Sequence, residues 1–385
     1  MSVVLTPKRY IDAHLSDFIK SKMVFIGGPR QVGKTTYALY KLGTKKGAQH
    51  PGYLNWDIPS DKPKIRQFEI PTSQNLMVFD EIHKYARWRT LMKGFFDRYY
   101  PAKQAIVTGS ARLDLYRKGG DSLMGRYRFI RLHPYSLMEL TPHPTATDLE
   151  RLFSFSGFPE PLFEAKPQKW RLWQRDRLSR VFQEDLRELE RVHEISLLEL
   201  LLESLPPKVG SPLSLNNLRE DLEVSHDSIR KWISIFDHLY LTFRIAPYGN
   251  PKIRAVKKEQ KLYFWDFTQV EDPGIRFENL VACQLLKYCH AEEDFEGHSM
   301  ELRYIRDTDK REVDFVVLKK KQPLFAVECK LNQEPASPSI RYFRERLPIP
   351  KYFQVHMRGN QDFGNETKDV RVLPFVTFVQ ELNLP

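Results

Sequence analysis

Apolar residues along the chain gather into short runs that stop at glycine or at acidic residues, and those stops predict the architecture. Met23-Val24-Phe25-Ile26 runs into Gly27-Gly28, Leu76-Met77-Val78-Phe79 into Asp80-Glu81, and Ala105-Ile106-Val107-Thr108 into Gly109-Ser110. Short apolar runs bounded in this way read as buried strands. Thr35 to Leu42, between the first two, reads as a helix. Strands alternating with helical stretches predict βαβ units on a parallel sheet. Ligands of such sheets bind at the loops that leave the strand C-termini.

The pattern changes near residue 148. Residues 148–205 are rich in Leu, Arg and Glu at helical spacing, and Pro206-Pro207 and Gly210-Ser211-Pro212 read as a linker. A short helix, a serine turn, an amphipathic helix from Asp227 to Leu239 and an apolar strand then follow. That order is a helix-turn-helix or winged-helix pattern, or a generic small helical subdomain. From Lys261 a further α/β pattern begins: strands at Leu262–Trp265, Leu302–Ile305, Val313–Val317 and Phe325–Cys329, with a helix from Phe277 to Tyr288.

Composition narrows the classes. Of 385 residues, 41% are hydrophobic and 28% charged, which predicts ordinary folded cores in a soluble protein and excludes a disordered chain. No apolar run approaches the roughly 18 residues of a membrane span. The start, MSVVLTPKRYIDAHL, has no signal-peptide pattern. The odd set Cys283, Cys289 and Cys329 offers no disulfide framework, which fits a reducing cytoplasm. The net charge of +11 suits a polyanionic partner such as DNA, or equally a solvated basic surface.

Gly28-Pro29-Arg30-Gln31-Val32-Gly33-Lys34-Thr35 fits G-x-x-x-x-G-K-S/T between a strand and a helix, the context a phosphate-binding loop requires. Its glycines let the backbone curl so that N–H groups face phosphates, and the helix N-terminus adds favourable dipole charge. Gly28, Pro29, Gln31, Val32, Gly33, Lys34, Thr35 and Thr36 form the candidate ATP-binding set. Lys34 is expected to reach the β- and γ-phosphates and Thr35 to bind Mg²⁺. Asp80 is the second expected Mg²⁺ ligand, and Glu81 the group that orients and polarises the attacking water. Ser110, after the third strand, is expected to sense the γ-phosphate or to cap a helix. Arg126, with Arg112 and Arg128 as rivals, is a candidate to stabilise transition-state charge across a subunit interface.

Taken together, GPRQVGKTT, FDEIHK, VTGSARL and MGRYRFIRLHPYSLMEL resemble the AAA-type ATPases often paired with a C-terminal domain of unknown function. The resemblance covers the whole chain in motif order and spacing, although Ala111 stands where a second serine is common. It implies an AAA+-like core that works as a homo-oligomeric ring, a hexamer being the expected count, with Arg126 as the interface arginine.

A second constellation lies near the C-terminus. Asp314 falls inside an apolar strand, and Glu328-Cys329-Lys330 ends the next one. Glu328 and Lys330, two apart, share a strand face. Two carboxylates can hold Mg²⁺ and a lysine can stabilise developing charge, which is chemistry for phosphodiester hydrolysis. With Glu278 in FENLVACQLL as a third acid, the set resembles the PD-(D/E)xK nuclease superfamily. The resemblance implies metal ligands Glu278, Asp314 and Glu328 with Lys330 beside them. The alternative is a decayed or structural site with an ion-paired Lys330.

The expectation is therefore an α/β chain in four segments. A P-loop AAA+-like ATPase core covers 1–147, a helical lid 148–205, a winged-helix-like segment 206–250 and a restriction-endonuclease-like domain 251–385. Three functions fit: an ATP-driven motor on DNA, including branched DNA such as four-way junctions; a nucleotide-dependent protein switch; or an ATP-regulated Mg²⁺-dependent nuclease.

Overall fold

The computed structural model describes residues 8–43, 47–109, 123–186, 195–249 and 260–385. The chain divides into two compact units, one ending at Pro134 and the other beginning at Tyr135.

The first unit contains α1 (Asp12–Ser21), β1 (Met23–Gly27), α2 (Lys34–Lys41), β2 (Tyr53–Asn55), α3 (Asp61–Gln67), β3 (Leu76–Asp80), α4 (Trp88–Tyr99), β4 (Gln104–Thr108) and β5 (Tyr127–Arg131). Its five strands run parallel in the order β2-β3-β4-β1-β5. A parallel sheet is covered on both faces, so its strands read as continuous apolar runs and not as alternation. All of β1 is buried, and Phe25, Phe79, Phe95 and Trp88 fill one core. Burying each of these side chains contributes roughly 1.5–3 kcal/mol. Because β4 lies between β1 and β3, Thr108 stands level with both Ile26 and Asp80. The ends of the three expected strands therefore meet along one edge.

The second unit opens with α5 (Leu137–Leu140), α6 (Ala146–Phe155), α7 (Pro159–Glu164), α8 (Pro167–Arg180), a π-helical turn (Val181–Leu186), α9 (Ile195–Ser204), α10 (Leu215–Asp221) and α11 (His226–His238). Next come β6 (Thr242–Pro247), β7 (Lys261–Phe264), α12 (Pro273–Ala291), β8 (Met300–Arg306), β9 (Glu312–Lys319) and β10 (Gln322–Asn332). The unit closes with α13 (Pro338–Arg346), β11 (Tyr352–Arg358), β12 (Arg371–Pro374) and α14 (Phe375–Glu381). The sheet order is β12-β11-β10-β9-β8-β6-β7. Strands β8, β9 and β10 are antiparallel neighbours, while β10, β11 and β12 run parallel.

Three features differ from the four-segment expectation. The helices of 146–204 belong to the second unit, where Trp170 Nε1 and Gln174 Nε2 of α8 each donate to Thr268 Oγ1 at 3.0 Å. Helical periodicity identifies an apolar face but not the core that covers it. The stretch read as a linker is packed, with Val209 and Leu213 buried and the Leu213 N–H donating to the Gln260 carbonyl at 2.8 Å. The strand after the second helix of the helix-turn-helix pattern, β6, pairs antiparallel with β7 and parallel with β8. The expected boundary at 250–251 thus cuts through a single sheet. The helix pair itself is present: the Ser225 side chain caps α11 by accepting from the Ser228 N–H at 3.0 Å, and Ile229, Trp232, Ile233 and Phe236 bury its inner face. Among the described residues no helix is long and apolar enough to cross a membrane.

Candidate functional site

The loop after β1 has the backbone its sequence requires. Gly28 sits at φ +138°, and a Cβ there would lie 2.3 Å from the Leu132 carbonyl oxygen, so only glycine fits. Gly33 caps α2 in the left-handed region, at φ 95°. Lys34, the first residue of α2, is buried and turns back over the loop, donating to the carbonyls of Gly28 at 2.9 Å and Pro29 at 2.7 Å. Gln31 holds φ +64°, and its Oε1 is buried with no hydrogen-bond partner. Arg9 braces the far side of the loop through its bond to the Val32 carbonyl at 3.4 Å.

Asp80 ties β3 to this loop. Its Oδ2 accepts from Thr35 Oγ1 at 2.8 Å and from the Tyr53 hydroxyl at 2.7 Å. Its Oδ1 accepts from Thr108 Oγ1 and from the Glu81 N–H at 3.1 Å. Glu81 turns off the strand at φ +53°, an uncommon conformation for a side-chain-bearing residue that departs from the strand line at once. Its Oε2 stands 3.6 Å from both His83 Nε2 and Lys84 Nζ. Burial, then the neighbouring Asp80, push the Glu81 carboxyl up to about 7, against the pull of Lys84 and Lys34. Such a carboxylate takes and returns a proton near neutral pH, as a general base must.

These residues fit Mg²⁺-ATP. The Gln31 oxygen is orphaned, and Thr35 and Asp80 present a hydroxyl and a carboxylate side by side, the oxygen donors a magnesium ion takes.

In the second unit the acids expected from the sequence stand near one another, each with its own partner. Asp314 on β9 accepts the Cys329 N–H through Oδ2 at 2.7 Å, which ties it across to β10. Glu328 Oε1 lies 3.1 Å from Lys330 Nζ and accepts from Ser337 Oγ at 3.4 Å, while its Oε2 is buried without a hydrogen-bond partner. Glu278 on α12 is held through Oε1 by the Tyr263 hydroxyl at 2.7 Å and by Lys261 Nζ at 3.5 Å. Lys261 also pairs with Glu312, whose other oxygen meets Arg306 at 3.0 Å. Burial, then Asp314, push Glu278 up to about 7 and Glu328 up to about 8; burial also raises Asp314. Burial works against the charge on Lys261, but Glu278, Asp314 and Glu312 outweigh it and raise the amine. Among the described residues no three His, Cys, Asp or Glu side chains close on one point as metal ligands. Of the expected trio Glu278, Asp314 and Glu328, Glu278 is engaged by Tyr263 and Lys261.

Residues 20–141 match the family model of an AAA domain. The phosphate loop, Asp80 and Glu81 all fall inside this AAA-type P-loop domain. Residues 146–268 match a domain of unknown function (DUF8612), and residues 273–377 another (DUF4143). Two uncharacterized mycobacterial proteins, Mb2031c of Mycobacterium bovis and Rv2008c of Mycobacterium tuberculosis, are each 20% identical to the chain over 269 residues. The match takes in 69% of this chain but only 59% of their length. Two variants of RuvB from Thermotoga maritima superpose with TM-scores of 0.30 and 0.27 at 14% and 17% identity, covering 65% of this chain and 90% of each. Superpositions this loose carry nothing about substrate or assembly.

Within the AAA domain, Arg126 lies away from the phosphate loop. It precedes Tyr127, which stands level with Met23 at the opposite end of β1. Its guanidinium grips Asp97 of α4, Nε to Oδ1 at 2.7 Å and Nη2 to Oδ2 at 3.3 Å, and holds that carboxyl below its usual range. Arg128 lies over the Phe18 ring at 5.5 Å. Ser110 and Arg112 lie outside the described residues. Sequence reasoning missed Tyr53 and assigned Thr108 no contact with Asp80. It also passed over Lys261, Tyr263 and Glu312. The one available signal for Lys261 was a lysine leading directly into a fully apolar strand.

Proposed function

We propose that the chain is an ATP-hydrolysing motor that acts on DNA, with the second unit supplying the DNA contact. The observation that carries the ATPase half is the joining of the phosphate loop to Asp80 through Thr35 at 2.8 Å, with Glu81 next in the chain. Lys34 and the loop N–H groups bind and neutralise the phosphates. Thr35 and Asp80 would hold Mg²⁺, which when bound supplies further neutralisation of phosphate charge. Glu81 orients the attacking water and accepts its proton. Arg126 acts across a ring of identical subunits, six being the expected number; to do so it must leave Asp97.

The DNA half is supported by the net charge of +11, by the α10–α11 pair and by Lys330 beside Asp314 and Glu328. Four-way junctions are the branched substrate to try first. The test is ATP turnover with single-stranded, duplex and four-way-junction DNA at fixed salt. Binding should weaken steeply as salt rises, because phosphate contacts release counterions. A flat rate across all DNAs would favour a protein-directed switch.

A second reading, an ATP-regulated Mg²⁺-dependent nuclease, is favoured by the orphaned, buried Glu328 Oε2 near Asp314. It predicts nicking that disappears in Asp314→Ala.

A further inference from the structure

Lys261 opens β7 with a wholly buried side chain, although strand-leading lysines ordinarily reach solvent. Its ammonium lies between two carboxylates, Glu278 on α12 and Glu312 on β9. Glu278 is engaged through one oxygen and lies beside Gly210 with both. Oε1 takes the Tyr263 hydroxyl and Lys261 Nζ. The other oxygen faces the backbone of Gly210, so near that a Cβ on Gly210 would lie 3.0 Å from Oε2 and 3.2 Å from Oε1. Gly210 holds φ +73°, and the chain two residues on bridges back to Lys261 through Pro212, so the 206–213 stretch packs beside the acidic centre. By contrast Glu328 keeps one buried oxygen with no partner.

We propose that Lys261 is the built-in counter-ion of this centre, a positioning residue whose ammonium holds Glu278 where a divalent ion would otherwise bind. A divalent ion, on the nuclease-like reading of the unit, is left with Asp314 and Glu328 alone, and the centre takes at most one. The charge inventory agrees. Removing an internal cation from a buried group of carboxylates leaves uncompensated charge, and such a group recruits another cation or becomes protonated.

The test counts Mn²⁺ bound to the full chain without nucleotide, by the paramagnetic resonance signal of the free ion. Any ion held by the first unit contributes equally throughout. Glu278→Gln should bind as many ions as the parent. Lys261→Met, with its fold checked by circular dichroism, should bind one more, and Lys261→Met/Glu278→Gln should lose it again. Lys261→Arg keeps the charge and should gain none. Loss of an ion in Glu278→Gln overturns the proposal, as does a folded Lys261→Met that binds no more than the parent. If Lys261→Met does not fold, the Glu278→Gln count decides alone. Asp314→Ala tests the nuclease-like reading separately. If it binds as many ions as the parent, the metal role of Asp314 fails, while the Lys261 and Glu278 arms still decide the counter-ion.

Discussion

Replacing Tyr53 by Phe tests how Asp80 is held. The Tyr53 hydroxyl donates to Asp80 Oδ2 at 2.7 Å, and burial together with Asp80 raises its pKa, so it remains a donor at every working pH. The substitution removes one hydrogen bond to a buried carboxylate and leaves Oδ2 to the Thr35 hydroxyl. A hydrogen bond to a charged group contributes about 1.5–3 kcal/mol, or roughly tenfold to a hundredfold in the folding equilibrium. The assay is urea unfolding of the full chain. The first unit's transition is identified as the one ATP moves to higher urea, since a ligand stabilises only the unit that binds it. With a slope of about 2 kcal/mol per molar urea, the midpoint should fall by about 1 M. Turnover should survive, because Lys34, Thr35 and Glu81 are unaltered. An unmoved midpoint would refute the claim that Tyr53 holds Asp80 in solution.

Further outcomes are expected. Glu81→Gln should bind ATP but turn it over about 10²–10⁴ times more slowly, in line with loss of a general base, and normal single-turnover rates would remove Glu81 from that role. In the parent, kcat/KM should rise with pH through about 7, because Glu81 must be ionised to accept a proton; this limb should vanish in Glu81→Gln. The stability sign follows from the same shift. The folded state holds the Glu81 proton more tightly than the unfolded state, so this group's contribution becomes less favourable as pH rises from 4.5 to about 7. Gly28→Ala combines a left-handed φ with a contact on the Leu132 carbonyl; it should cost about 1–3 kcal/mol of strain and weaken ATP binding measured by calorimetry. Arg126→Ala should lower turnover only at concentrations where subunits associate; equal loss at every dilution would contradict a role in trans.

The phosphate loop was legible because its chemistry is local. Eight consecutive residues carry the glycines, the lysine and the hydroxyl, and the flanking apolar strand is buried on both faces. The strand ends at Asp80 and Thr108 were legible for the same reason. Tyr53 was not, because β2 has only three residues and no distinctive run, and its link to Asp80 spans 27 positions. Arg126 was found as a motif residue, but its partner Asp97 sits on a helix that local pattern does not orient toward it. Pro206 to Leu213 has the composition of a linker, yet Val209 and Leu213 are buried, since proline and glycine report backbone shape and not exposure. The D…ExK spacing put Asp314 and Glu328 on neighbouring strands. It gave no hint that Lys261, 17 residues before Glu278, would already occupy that acid.

The most direct test of the central claim is the Mg²⁺-dependent ATPase rate of the purified chain, beside Lys34→Ala, with and without four-way-junction DNA at fixed salt. The account predicts turnover in the parent, stimulation by DNA and no turnover in a folded Lys34→Ala. Unchanged turnover in Lys34→Ala would contradict the site assignment, and a parent rate indifferent to DNA would contradict the motor.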